Sequence, residues 1–164
     1  KEFRIYYSND LIGTQIGGSL KNIYAIAAGI AEGLNLGENA KSALISRSFA
    51  EMTRYAKKFK ADKNTLFGLS GLGDLILTCG SKNSRNTQFG IKLASSKYDN
   101  FLDLLKSQEV TEGYYTVKAV YNISQKKNID MPIMESVYNI LYKQHDLKEE
   151  LSNLLSRPIT EEKI

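Results

Sequence analysis

Only two prolines, Pro132 and Pro158, interrupt the 164 residues of this chain, and that scarcity is the strongest constraint on its fold. Proline breaks a helix interior and a central strand alike, so nearly the whole chain is free to carry an unbroken apolar period. The period it carries is helical. From Gly17-Gly18 onward, Leu20, Ile23, Ala27, Ile30 and Leu34 advance by three or four positions, which predicts a helix with one buried stripe. Ala25, Gly29 and Gly33, also four apart, leave one face of it almost without side chains, open to close approach by another helix. A second long helix is expected over about Glu38 to Phe59. Its Leu44, Phe49, Met52, Ala56 and Phe59 point inward, and Lys41, Arg47, Glu51, Arg54 and Lys57 point mostly outward.

The rest of the chain repeats this logic. Leu72, Leu75, Ile76 and Cys79 cluster on one side of a helix, while Asp74 and Thr78, spaced i,i+4, lie on the opposite side. Ser84 is placed to cap a helix running to about Ser96, and Asp99 a short one with Phe101, Leu102 and Leu105. Glu109 to Gly113 is a connector, followed by a helix through Val117, Val120, Tyr121 and Ser124. Pro132 suits the first position of a helix bearing Ile133, Val137, Ile140 and Leu141. Asp146 with Glu149 resembles a capping box opening a last helix with Leu147, Leu151, Leu154 and Leu155. Phe3 to Tyr7 alone has strand composition, and a single strand forms no sheet. The fold expected is all-α, with one leftover N-terminal strand.

Composition narrows the chemistry. Twenty-two Lys and Arg against eighteen Asp and Glu leave a net charge of +4, spread along the chain rather than gathered into a run, which implies neither nucleic acid nor an acidic membrane surface. One cysteine, Cys79, and one histidine, His145, allow no disulfide framework, and any His/Cys metal cage would rest on those two residues. No metal is expected. No run approaches the roughly 20 apolar residues that span a bilayer, so the expectation is a cytoplasmic protein without membrane insertion. The chain opens on Lys1 rather than methionine, and reads as a piece of a longer polypeptide.

Two nucleotide motifs fail on spacing. Gly13-Thr-Gln-Ile-Gly-Gly18 lacks the lysine of a P-loop, and Gly68-x-x-Gly71-x-Gly73 lacks the spacing and the βαβ setting of a dinucleotide fingerprint. Three polar features remain: Lys21-Asn22, Asp74 with Thr78, and Ser84-Arg85-Asn86. Each also has a plain structural reading, Lys21 as a surface lysine, Asp74 and Ser84 as helix caps. Brought together they would do more. The N–H groups of a helix start beside an arginine seat a phosphate monoester, and a lysine nearby, oriented by Asp74, exchanges a proton with an alcohol.

Gly17-Gly-Ser-Leu-Lys-Asn-Ile-Tyr-Ala-Ile-Ala-Ala-Gly-Ile, Asn39-Ala-Lys-Ser-Ala-Leu-Ile-Ser-Arg, Gly71-Leu-Gly-Asp-Leu-Ile-Leu-Thr-Cys and Ser84-Arg-Asn resemble, in order and spacing, successive blocks of the C-terminal domain of NAD(P)-dependent glycerol-3-phosphate dehydrogenase, in its bacterial form. The resemblance covers about residues 3 to 157. It implies a substrate domain with the fold of the 6-phosphogluconate dehydrogenase C-terminal domain: residues 1–10 as the remnant strand and linker of an N-terminal Rossmann domain, 11–157 as the helical substrate-binding domain, and 158–164 as a tail. It further implies interconversion of dihydroxyacetone phosphate and sn-glycerol 3-phosphate with NAD or NADP, feeding phospholipid synthesis. The main cofactor site would lie on the N-terminal domain, and the piece alone would be inactive.

By the same resemblance Lys21 is the proton-transfer residue. Asp74, Ser84, Arg85 and Asn86 line the substrate site, Asn22 and Thr78 support it, and Arg85, Val110 and Glu112 touch the dinucleotide. The sequence departs from the family pattern at Ser19, Tyr24 and Tyr114-Tyr115. Its expected partners are the small-molecule substrate and the chain's own Rossmann domain, and a homodimer stays open. Two other readings stay open beside it: a helical association module using the small-residue face, and a two-domain dehydrogenase acting on another hydroxy acid.

Overall fold

A computed structural model describes residues 4–95 and 111–158, and every described regular element is helical. In chain order these are α1 (Leu11–Gly33), α2 (Gly37–Lys58), α3 (Lys63–Phe67), a π-helical turn (Leu69–Gly73), α4 (Asp74–Gly80), α5 (Arg85–Ser95), α6 (Glu112–Lys127), α7 (Pro132–Lys143) and α8 (Leu147–Leu155). The all-α expectation holds. The strand expected over Phe3 to Tyr7 does not form where it is described, since residues 4–7 are exposed and irregular. An isolated strand has no ladder partner for its N–H and C=O groups. The short helix expected at Asp99, and Val110, lie outside the described residues.

Helix α1 is the axis of the fold, touching α2, α3, the π-helical turn, α4, α5, α6 and α7. It begins at Leu11, well before the Gly17 start that periodicity suggests, because Asp10 caps it. One Asp10 carboxylate oxygen accepts from the Gly13 N–H at 2.8 Å, and the other from the Asp62 N–H at 2.8 Å. The Gly13 N–H holds the Asp10 carboxyl below its usual range. Beyond Gly17 the helix is enclosed. Leu20, Ile23, Tyr24, Ala25, Ile26 and Ala28 are at most 1% exposed, and each large apolar side chain of this kind contributes roughly 1.5–3 kcal/mol by burial.

Two glycines decide what lies against α1. A Cβ on Gly29 would stand 2.1 Å from the Thr87 carbonyl oxygen, and one on Gly90 of α5 would stand 2.2 Å from the Ile26 carbonyl oxygen. The α1 and α5 backbones therefore touch, and the small-residue face is covered from within the chain. A Cβ on Gly17 would meet the Ser70 carbonyl oxygen at 2.1 Å, so the π-helical turn is seated equally close.

The remaining helices follow their sequence signals with three exceptions. Pro132 does open α7, and the Asp146 side chain accepts from the Lys148 and Glu149 N–H groups to open α8. Ile76, expected in the inward stripe of α4, is 50% exposed, and only Leu75 and Cys79 of that helix are buried. In α8 Leu155 is 78% exposed, and the buried residue is Glu150, which accepts from Asn139 Nδ2 at 3.1 Å and lies 2.7 Å from His145 Nδ1. The largest departure is Glu51. Expected outward on α2, it is 1% exposed.

Its carboxylate accepts from the Ile133 N–H at 2.6 Å, the Met134 N–H at 3.1 Å and the Tyr24 hydroxyl at 3.3 Å. The N-cap of α7 is Met131, which offers no side-chain acceptor. Glu51 supplies from another helix the acceptors that a first turn leaves unmet. Burial pushes its carboxyl up to about 7, against the opposing pull of the two N–H groups.

Candidate functional site

The seat of the π-helical turn on Gly17 fixes where Asp74 stands. Asp74 is the first residue of α4, directly after that turn, and Lys21 is one helical turn beyond Gly17 on α1. The two side chains meet: Lys21 Nζ lies 2.5 Å from Asp74 Oδ2, with each side chain about a quarter exposed at 24% and 28%. Asp74 caps nothing, because its other oxygen accepts from the Thr78 hydroxyl at 3.2 Å. Lys21 is no loose surface lysine. π-Turns within helical segments are frequent at functional sites, and this one delivers a carboxylate to a lysine.

The close α1–α5 contact fixes a second cluster. Asn86, 4% exposed, donates through Nδ2 to Asn22 Oδ1 at 3.0 Å and accepts the Gly113 N–H on its own Oδ1 at 3.0 Å. Asn22 Nδ2 donates to the Gly18 carbonyl at 3.3 Å, which sets its amide orientation. Asn86 thereby joins α1, α5 and the start of α6 next to the Lys21–Asp74 pair. The α4 end is pinned as well, since the Thr87 hydroxyl donates to the Thr78 carbonyl at 2.9 Å. Thr87 was not among the residues that sequence reasoning singled out. Its position directly after Ser-Arg-Asn is the only signal the sequence offers, and the structure adds that it is fully buried.

Arg85 and Ser84 sit differently. The Arg85 guanidinium pairs with the Glu112 carboxylate rather than with that of Asp74, and its side chain is 76% exposed. Ser84 Oγ accepts the Thr87 N–H at 3.3 Å, which is the capping role. The structure thus joins Lys21, Asp74 and Thr78 in one contact network and Asn22, Asn86 and Gly113 in a neighbouring one. The Arg85–Glu112 pair stands exposed at the adjoining ends of α5 and α6. Leu77, which flanks Asp74 around α4, is 68% exposed, and Leu69 of the π-helical turn is 69% exposed. The site therefore opens onto an apolar face. Among the described residues, no three His, Cys, Asp or Glu side chains are grouped to hold a metal ion.

Residues 10–152 match the family described as NAD-dependent glycerol-3-phosphate dehydrogenase C-terminus. This chain belongs to that family. It is 46% identical over 157 residues to glycerol-3-phosphate dehydrogenase (NAD(P)+) of Colwellia psychrerythraea, covering 96% of this chain and 47% of the relative. With the enzyme of the same name from Brachyspira hyodysenteriae it shares 47% over 158 residues, covering 95% and 47%. The crystal structure of glycerol-3-phosphate dehydrogenase from Coxiella burnetii superposes with a TM-score of 0.88 at 40% identity, covering 96% of this chain and 48% of that one. The chain spans about half the length of the curated relatives it matches, and corresponds to the C-terminal, helical part of these NAD(P)-dependent enzymes. Among the described residues no helix is long and apolar enough to cross a membrane.

Proposed function

We propose that this chain is the substrate-binding and proton-transfer half of a cytoplasmic enzyme that interconverts dihydroxyacetone phosphate and sn-glycerol 3-phosphate, a precursor of phospholipids. The observation that carries the reading is the Lys21–Asp74 contact, a cation held in place by a carboxylate and open enough to meet a small molecule. Lys21 gives a proton to the oxygen on carbon 2 during reduction and takes it back during oxidation. Asp74 orients the lysine, and Thr78 fixes the rotamer of Asp74. Asn22 and Asn86 present amide groups whose orientation is set by their mutual hydrogen bond. Ser84 and Arg85, at the start of α5, take the phosphate, where helix N–H groups and a guanidinium act together.

The donor set also fits a dinucleotide on this side. Arg85 is exposed, anchored by Glu112, and at the opening of α6, so Arg85 and Glu112 form its contact edge. When bound, NAD(H) or NADP(H) supplies or accepts the hydride. We assign its main site to an N-terminal Rossmann half, and the exposed Leu69 and Leu77 are the surface that such a half would cover. The chain by itself then turns over no substrate.

Kinetics on the enzyme with both halves test the assignment. Lys21→Ala is expected to lower turnover by roughly 10² to 10⁴ while dinucleotide affinity stays the same. Arg85→Ala is expected to raise the Michaelis constant for dihydroxyacetone phosphate. Near-normal turnover in Lys21→Ala would remove the lysine from the chemistry.

A further inference from the structure

On a face of α1 neighbouring the α5 contact, helices α1, α2, α7 and α8 enclose an elongated groove of about 800 Å³, a size that accommodates small molecules. Helix α8 packs on α7, and its leucines face α1 and α2 across open space. The lining runs the length of α2 from Leu36 to Arg54, about 27 Å at 1.5 Å per residue. Its character changes on the way.

At one end Leu36, Ala40 and Leu44 face Ile140, Leu147 and Leu151, and the wall there is aliphatic. The single acid at that end, Glu150, is engaged by His145 and Asn139. At the other end two guanidiniums meet, those of Arg54 and Arg157, both at Asp130. Arg54 Nε donates to the Asp130 carbonyl at 2.8 Å, and Arg157 donates to Asp130 Oδ1 at 3.1 Å. Arg54 Nη2 also lies 3.9 Å from Asp130 Oδ2, so one exposed carboxylate serves two arginines. The other acid at this end is Glu51, whose oxygens are taken by Ile133, Met134 and Tyr24. The groove is aliphatic at one end and carries an excess of guanidinium at the other.

That polarity belongs to a molecule with the complementary one. We propose that the groove binds a single-chain amphiphile with a carboxylate head, its alkyl chain lying between α2 and α8 and its head meeting Arg54 and Arg157. A guanidinium receives a carboxylate through two parallel N–H···O bonds, and the aliphatic wall gains from each methylene removed from water. A peptide helix or a second copy of the chain fits less well, because neither brings a lone anion to the end of a long apolar body. The proposal stands apart from the reading of the Lys21 cleft.

Calorimetric titration of the enzyme with both halves, using dodecanoate below its micelle concentration, tests it, with dodecanol and dodecyltrimethylammonium as head-group controls. One saturable site is expected, at least tenfold tighter for dodecanoate than for the ammonium. Arg157→Ala should weaken dodecanoate about tenfold, the equivalent of one charge-assisted hydrogen bond. Ala43→Trp, an exposed position on the groove wall, should abolish binding while the unliganded melting temperature stays the same. If that variant fails to fold, the head-group order and Arg157→Ala still decide. Equal affinity for the three head groups, unsaturable uptake, or full binding in Ala43→Trp would mean adventitious detergent-like association and overturn the proposal. So would a concentration-dependent dimer, seen by sedimentation, that closes the groove and that Ala43→Trp dissociates.

Discussion

Asp74 and Glu51 are both acids brought against side chains of α1, and they have opposite fates. Asp74 sits 28% exposed with a lysine on one oxygen and a threonine hydroxyl on the other, in a site that opens to solvent. Glu51 is sealed, and its oxygens are consumed by the first turn of α7 and by Tyr24. One carboxylate orients a cation that remains accessible, and the other substitutes for a missing helix cap. Burial and a raised carboxyl therefore do not by themselves mark a reactive site. Glu51, whose carboxyl burial pushes up to about 7, is the structural acid of the two.

The contrast can be broken most forcefully at Glu51. Glu51→Ala strands two backbone N–H groups and a tyrosine hydroxyl, and a loss of about 4 kcal/mol of unfolding free energy is expected at pH 5 by urea denaturation. A cost under about 1 kcal/mol would mean that α7 finds another cap. The next effect is in the pH profile. The folded carboxyl at about 7 lies above its unfolded value of 4.5, so the folded state holds the extra proton. This contribution to stability is complete below about pH 4.5 and is lost as pH rises through 7, by up to about 3 kcal/mol. Glu51→Gln should flatten that part of the curve, and an unchanged slope would assign it to other groups.

The Asp74 side sharpens the comparison with smaller numbers. Thr78→Val removes the hydroxyl that fixes Asp74 and is expected to lower turnover of the two-half enzyme about fivefold, roughly 1 kcal/mol of barrier, with little change in melting temperature. A fall in melting temperature with unchanged turnover would give Thr78 the structural role and not the positioning one. Smallest of all is Lys41→Ala, which breaks the 2.8 Å pair with Glu32. Because Lys82 Nζ, 3.6 Å away, still faces Glu32, the cost is expected to stay under about 1 kcal/mol, the baseline against which both acids are measured by thermal melts.

Much of this was legible in the sequence. The opposed faces of α4, with Leu75 and Cys79 inward and Asp74 and Thr78 together on the other side, follow from 100° per residue, and the small-residue face of α1 correctly announced a close helix. Which helix came close was not legible, because Gly90 pairs with Gly29 only through tertiary contact. Glu51 was misplaced because it stands on the border of the α2 stripe, among residues of like charge pattern. A signal existed in Met131, an apolar residue where a helix opening at Pro132 needs an acceptor. It says that an outside group must cap α7, without saying which. The Arg85–Glu112 pair was likewise hidden, since nothing in local spacing relates residues 27 apart.

The dependence of seven elements on α1 has a consequence for how the molecule breathes. A helix that every neighbour uses as its support opens only when the neighbours leave, so its central amides exchange with solvent deuterium only through global unfolding. Helix α8, held by α7 and by the Glu150 contacts, opens at far lower free energy. Exchange measured residue by residue should form a gradient, slowest around Ile23 to Ala28 and fastest at Leu155. The lysine proposed for proton transfer is thereby mounted on the slowest-opening element, and one wall of the groove on the fastest.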